Sequence, residues 1–316
     1  MNTKKKSVSL VLGSGGARGL AHIGVIQVLE ERGFEIRSIS GSSMGALIGG
    51  IYAAGELDSY TKWICALERL DMLRLLDVSF SGSAIFKGER IINTLKELIG
   101  DRLIENLPIS FTAVATDLDE EKEVWFSKGP LFDAIRASIA FPTIFSAFPF
   151  ADRKLVDGGL LNPIPIAPTL HDITDLTIAV SLSGKAKSHA VTHRSPGKPP
   201  QNRNKYRRMV VEFIDGLQKK VNGGPEDDSG FFDVISKTID TMQHSITRFR
   251  LAAYSPDVLI EIPKDSCTIY EFDRAEELIE IGRMQTETAL NAYSCSMQPA
   301  HMISNPPVRK KPGRMR

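Results

Sequence analysis

Two glycine-rich turns near the start of the chain constrain its fold more than any other feature. Residues 7–12, SVSLVL, are apolar and β-branched with no break, and they run straight into GSGGARG (13–19). A run of that length without alternation reads as a parallel strand buried on both faces. Residues 19–33 follow with Leu20, Ile23, Ile26 and Leu29 at helical spacing, and Gly33 is placed to stop the helix. Residues 35–41 read as a second strand. The next segment, 44–55, is apolar nearly all round, as a buried helix must be. Strand–helix–strand–helix from the outset implies α/β architecture: three α/β/α layers around a central, mostly parallel sheet.

The same alternation continues. Residues 88–100 predict a helix, 109–118 a strand, and the stretch 130–145 holds a helix that Pro142 stops. Residues 153–159 predict a short strand entering a Gly turn, and 175–184 another buried strand. Composition then shifts. Between 185 and 220 there are ten Lys/Arg against Glu212 and Asp215, with Pro, Ser and Asn in the first part. That composition predicts a mobile basic insertion over about 185–230. Residues 231–251 predict an amphipathic helix, with Phe231, Ile235, Ile239, Met242, Ile246 and Phe249 on its core stripe. A late strand (257–263) and a closing helix (272–293) complete the pattern, and a basic tail over 297–316 is expected to be disordered. The expectation is one domain over 1–316, with its core in 7–184 and 231–293.

Net charge is +1, so nothing draws the whole chain toward nucleic acid, and none is expected as a partner. Three cysteines, Cys65, Cys267 and Cys295, are odd in number and far apart, which argues against a disulfide framework and against a metal site. No apolar run reaches the ~18 residues that span a bilayer. The expected location is cytoplasmic, with peripheral membrane contact left open.

Three motifs carry chemistry. In GSGGARG, the dinucleotide spacing would need glycine where Arg18 stands, and no acid ends the second strand; no Gly-Lys-Ser/Thr follows either. A tight turn or an oxyanion hole remains. The second motif, Gly41-Ser42-Ser43-Met44-Gly45, fits a nucleophile elbow, with small residues permitting the sharp turn at Ser43. An α/β-hydrolase would then supply a histidine base. Here His22 precedes the serine and reads as a packed core residue. His171 is in a loop, His189 and His193 are in the insertion, His244 is inside a helix and His301 is in the tail. None ends a strand. The third motif, Asp157-Gly158-Gly159, puts an acid at a strand's C-terminal end, where parallel sheets bind ligands.

In this order, GSGGARG, GSSMG and DGG resemble the three signatures of the patatin-like phospholipase family, and ASIAFPTIF (137–145) is similar to its members too. Where many members carry three glycines, this chain has Ser14-Gly15-Gly16, which leaves the backbone donors unchanged. The resemblance covers about residues 7–184 and implies a patatin-like fold. It implies a Ser43 nucleophile with Asp157 as proton acceptor and no histidine. It also implies an oxyanion hole at Gly15 and Gly16, supported by Gly13, Ser14 and Arg18, with no cofactor and no metal. Gly41, Gly45, Gly158 and Gly159 complete the motifs. The implied activity is hydrolysis of acyl esters of phospholipids or lysophospholipids through an acyl-enzyme. An acyltransferase acting on a thioester or lipid acceptor, or a non-catalytic lipid-sensing protein, are the competing classes. A lipid or acyl-ester substrate and contact with anionic membrane through 185–220 are the expected partners.

Overall fold

Strand β1 (Ser7–Leu12) is buried along its whole length and sits near the middle of the sheet. It alternates its side chains between two layers. Val8, Leu10 and Leu12 enter one apolar cluster, and Val11 enters another. The structure, a computed structural model, describes residues 5–75, 77, 84–185 and 228–296. After β1 the order is α1 (Ala21–Glu31), β2 (Glu35–Ser42), α2 (Met44–Ala53), α3 (Leu57–Ala66), α4 (Arg69–Arg74), β3 (Ala84–Phe86) and α5 (Glu89–Ile99). Then come β4 (Ser110–Asp117), β5 (Lys122–Phe126), α6 (Leu131–Ser138), β6 (Thr143–Phe145), β7 (Phe148–Phe150) and β8 (Arg153–Asp157). The chain continues through β9 (Leu176–Gly184), α7 (Asp228–Ala253), β10 (Val258–Pro263) and α8 (Ala275–Ser296).

The main sheet runs β10-β9-β1-β2-β4-β8-β7, with β5 also paired to β4. From β10 to β4 every pairing is parallel; β5, β8 and β7 are antiparallel. One face is covered by α1, α2 and α8, whose Ile23, Ile26, Ile48 and Leu278 share a core with Leu10 and Leu12. On the other face Val11 and Ala179 meet Ile164, Ile166, Leu251 and Tyr254, the last two from the end of α7 and just after it. These are the three layers that the opening pattern implies. Each fully buried Leu or Ile contributes roughly 1.5–3 kcal/mol, so the larger cluster dominates the stability of the fold.

Local signals act where expected. Gly33 adopts φ 77°, its N–H donates to Glu30 O at 2.9 Å, and α1 ends there. Helix α6 ends at Ser138, short of Pro142, and 143–145 pair with β3 as a strand instead of continuing the helix. The amphipathic helix of 231–251 is α7, but its apolar stripe is not a core stripe. Met242 and Phe249 are exposed, and Ile235, Ile239 and Ile246 are only half-buried. The body beneath α7 offers Glu123, which takes Arg250, while Thr247 is buried with its hydroxyl donating to Gln243 O of its own helix at 2.8 Å. The basic insertion over 186–227 and the tail over 297–316 lie outside the described residues.

Candidate active site

Ser43 stands alone at the corner between the end of β2 and the start of α2. It adopts φ 56° and ψ −123°, a conformation an L-residue avoids at a cost of about 1–3 kcal/mol. Its surroundings hold it there. The Ser43 N–H donates to Ser138 Oγ at 2.9 Å, and that hydroxyl donates onward to Val114 O at 2.6 Å. The Ser43 carbonyl accepts from Ala46 and Leu47 at 2.9 and 3.1 Å, starting the helix. Gly45 has to lack a side chain, because a Cβ there would run into Leu12 O at the end of β1. The elbow is therefore pressed against the first glycine-rich loop.

Asp157 reaches Ser43 by a route the parallel-sheet rule did not anticipate. Strand β8 is antiparallel to β4, so its C-terminal end points back toward the sheet and not out of it. Along β4, Val114 pairs with Ser42 and the next residue, Ala115, pairs with Asp157. Strand β5 already occupies the other edge of β4 over the same residues. Strands β2 and β8 must therefore share one edge, and they meet end to end. The two C-terminal ends, carrying Ser43 and Asp157, face each other across that junction.

Asp157 is buried, at 1% exposure, and Oδ1 accepts the Gly159 N–H at 2.7 Å. Burial pushes its carboxyl up to about 7, against the downward pull of the Ser43 hydroxyl and the Gly159 N–H. Oδ2 is buried with no partner at full hydrogen-bond geometry, so the Ser43 hydroxyl lies near the carboxylate without being aligned on it. A loose approach of this kind is common before substrate binds. The turn after Asp157 also touches the first loop: a Cβ on Gly159 would collide with Ser14 Oγ.

The first loop is pinned at both ends and open in the middle. Gly13 N–H donates to Val180 O at 3.0 Å, Ser14 N–H to Pro163 O at 2.9 Å and Ala17 N–H to Ile269 O at 3.1 Å. Among the described residues, nothing accepts the N–H of Gly15 or Gly16. Arg18 is buried and braces the loop, with Nε donating to Gly15 O at 3.2 Å and Nη1 to Lys264 O at 3.2 Å. His22 is fully buried, as expected, and its Nε2 bonds Gly13 O at 2.8 Å. Burial holds that ring at about 4, well below the ordinary imidazole range, so it is neutral and serves as a donor to the loop.

All three motifs thus converge at the C-terminal end of β1 and β2. Ser138, Lys264 and Ile269 support the site without having been visible as site residues. Ser138 lies in ASIAFPTIF, a segment outside the three motifs that resembled the family. Lys264 and Ile269 hold the loop through their carbonyls, which no side-chain pattern can announce. An open hollow of about 540 Å³ lined by Glu123, Trp125, Ala167, Arg250 and Tyr254 includes neither Ser43 nor Asp157. No group of three or more His, Cys, Asp or Glu among the described residues is placed to hold a metal.

Fold and site define an α/β protein with a serine at a strained strand-to-helix corner beside a buried carboxylate. Residues 10–170 match the family model described as Patatin-like phospholipase. An uncharacterized NTE family protein of Mycobacterium tuberculosis is 40% identical, over 90% of this chain and 92% of its own length. The neuropathy target esterase of Drosophila melanogaster is 30% identical over 53% of this chain and 12% of its own. The crystal structure of VipD from Legionella pneumophila superposes with a TM-score of 0.54 at 16% identity, covering 92% of this chain and 67% of that one. The chain belongs to the patatin-like phospholipase family of lipid hydrolases.

Proposed function

We propose that the protein is a serine acyl hydrolase that cleaves acyl esters of phospholipids or lysophospholipids through a Ser43–Asp157 dyad. The observation that carries the reading is the end-to-end meeting of β2 and β8, with Ser43 opposite a carboxylate held at about 7. An ordinary carboxylate near 4 is a weak base toward a hydroxyl; one raised by burial is better matched to neutral pH.

Asp157 takes the Ser43 proton as Oγ bonds to the ester carbonyl carbon. The carbonyl oxygen becomes an oxyanion, met by the unspent N–H groups of Gly15 and Gly16. When the tetrahedral intermediate collapses, the bond to the lipid alcohol breaks and that alcohol leaves with the proton from Asp157. Water then attacks the acyl carbon as Asp157 takes its proton; the bond from the acyl carbon to Ser43 Oγ breaks, Oγ recovers that proton from Asp157 and a fatty acid departs. Arg18 positions the loop through the Gly15 carbonyl and does not touch the reacting atoms.

The test is covalent labelling with a fluorophosphonate, with the adduct mapped by mass spectrometry. The adduct is expected on Ser43. Fatty-acid release from phospholipid and from p-nitrophenyl esters should fall by roughly 10³-fold or more in both Ser43→Ala and Asp157→Asn. Wild-type rates in both variants would sink the dyad.

A further inference from the structure

Helix α7 runs past the edge of the sheet that carries Ser43. It has 26 residues, about 39 Å at 1.5 Å per residue, and the strand it feeds, β10, has 6. Its last turn packs on the middle of the sheet, where Leu251 lies with Val11 and Ala179. Two turns earlier His244 lies within electrostatic reach of Arg18 and Lys264, beside the glycine-rich loop. Residues 228–243 therefore extend about 24 Å further, beyond the catalytic edge.

The polarity of that helix is wrong for a solvent-facing surface. At ~100° per residue, Val234, Thr238, Thr241, Met242, Ser245 and Phe249 fall on one uncharged arc. Val234 is 61% exposed, Met242 54% and Phe249 76%. Half-buried Ile235, Ile239 and Ile246 border the arc on one side. Exposed Lys237 and Arg248 border it on the other. Asp240, the only acid between Val234 and Phe249, lies on the opposite side. The side turned to the body mixes Leu251 with buried Thr247 and with Arg250, which pairs with Glu123. An uncharged arc with three exposed apolar side chains, bordered by cations and free of acids, suits the headgroup–acyl boundary of an anionic bilayer.

We infer that the outer face of α7, centred on Met242 and Phe249, seats the protein on an anionic lipid surface with the Ser43 edge toward the bilayer. The inference builds on the acyl-hydrolase reading, in which the substrate arrives from a lipid phase, but its test does not depend on turnover.

The full chain is floated with vesicles of equal parts phosphatidylcholine and phosphatidylglycerol. Wild type is expected to rise with the vesicles, and Met242→Glu/Phe249→Glu to lose at least roughly tenfold in vesicle affinity. Phe249→Trp, which keeps an apolar ring, should bind and show blue-shifted emission on the vesicles. Hydrolysis of soluble p-nitrophenyl butyrate should be the same in the double variant and wild type, because neither residue touches the reacting groups. Binding without any esterase activity would leave the surface standing while removing the hydrolase reading. Wild type that stays unbound, or a double variant that binds equally, overturns the proposal. So does light scattering that finds a wild-type dimer split by the double substitution, since a second copy would then cover the face.

Discussion

Asp157 bears two opposed demands, and pH separates them. Its carboxyl is buried, and its folded pKa of about 7 lies above the ordinary 3.8. Below pH 3.8 both folded and unfolded chains hold the proton, so the group costs no stability. Between 3.8 and 7 the unfolded chain releases it first, and stability falls as pH rises. Above 7 the loss is complete, up to about 4 kcal/mol at roughly 1.4 kcal/mol per pKa unit. Asp157→Asn should therefore melt above wild type at pH 8, with the difference shrinking toward pH 4, as read by calorimetry across pH. Activity should run the other way: kcat/KM of wild type is expected to rise through about pH 7 as the base ionises. A flat profile from pH 5 to 9 would count against Asp157 as the base. Ser138 makes a separate case. Ser138→Ala leaves the Ser43 N–H and Val114 O buried without their shared hydroxyl, a loss of about 1–3 kcal/mol. Both Tm and kcat should drop, since the same bond holds the strained corner.

Among the elements, β8 and α7 are the ones whose roles depended on context. The strand at 153–157 was legible as a strand, and its terminal Asp as a candidate for the site. Its direction was not, because antiparallel entry is set by the β7–β8 hairpin and the free upper edge of β4, and neither appears in local periodicity. The apolar stripe of α7 was legible too, but which side met the body was not. Periodicity reports that an apolar arc exists; only the partner surface decides whether it is buried. That surface offers Glu123, held by Asn162 at 2.9 Å and by Trp125 at 2.8 Å, and it takes Arg250. Both ionised side chains are mostly shielded, so removing one strands the other. Glu123→Ala is expected to cost about 1–3 kcal/mol and to loosen the attachment of α7. Hydrogen exchange should quicken in residues 244–253 and stay unchanged in β1. Equal protection in α7 would mean that Leu251 and Tyr254 alone hold it.

For the whole molecule, protection should grade from the centre of the sheet outward. Strands β1, β2 and β9 are buried and flanked on both sides, so their amides are expected to exchange only on global unfolding. Residues 234–243 of α7 precede the turn whose Leu251 packs on the sheet, and they should exchange orders of magnitude faster in the absence of lipid; comparable rates would contradict the overhang. No helix among the described residues is long and apolar enough to cross a membrane. The amino-acid sequence by itself determined the α/β alternation, the buried first strand, the elbow at Ser43 and the family, because each is written in residues a few positions apart. Tertiary structure alone decided how residues 43 and 157 meet and which N–H groups of the first loop stay unspent. It also decided which face of α7 is left to solvent. Those outcomes depend on strand order, direction and end-to-end registry, which are set by competition for sheet edges and packing surfaces across the whole chain. No local pattern encodes that competition, even where every participant can be named in advance.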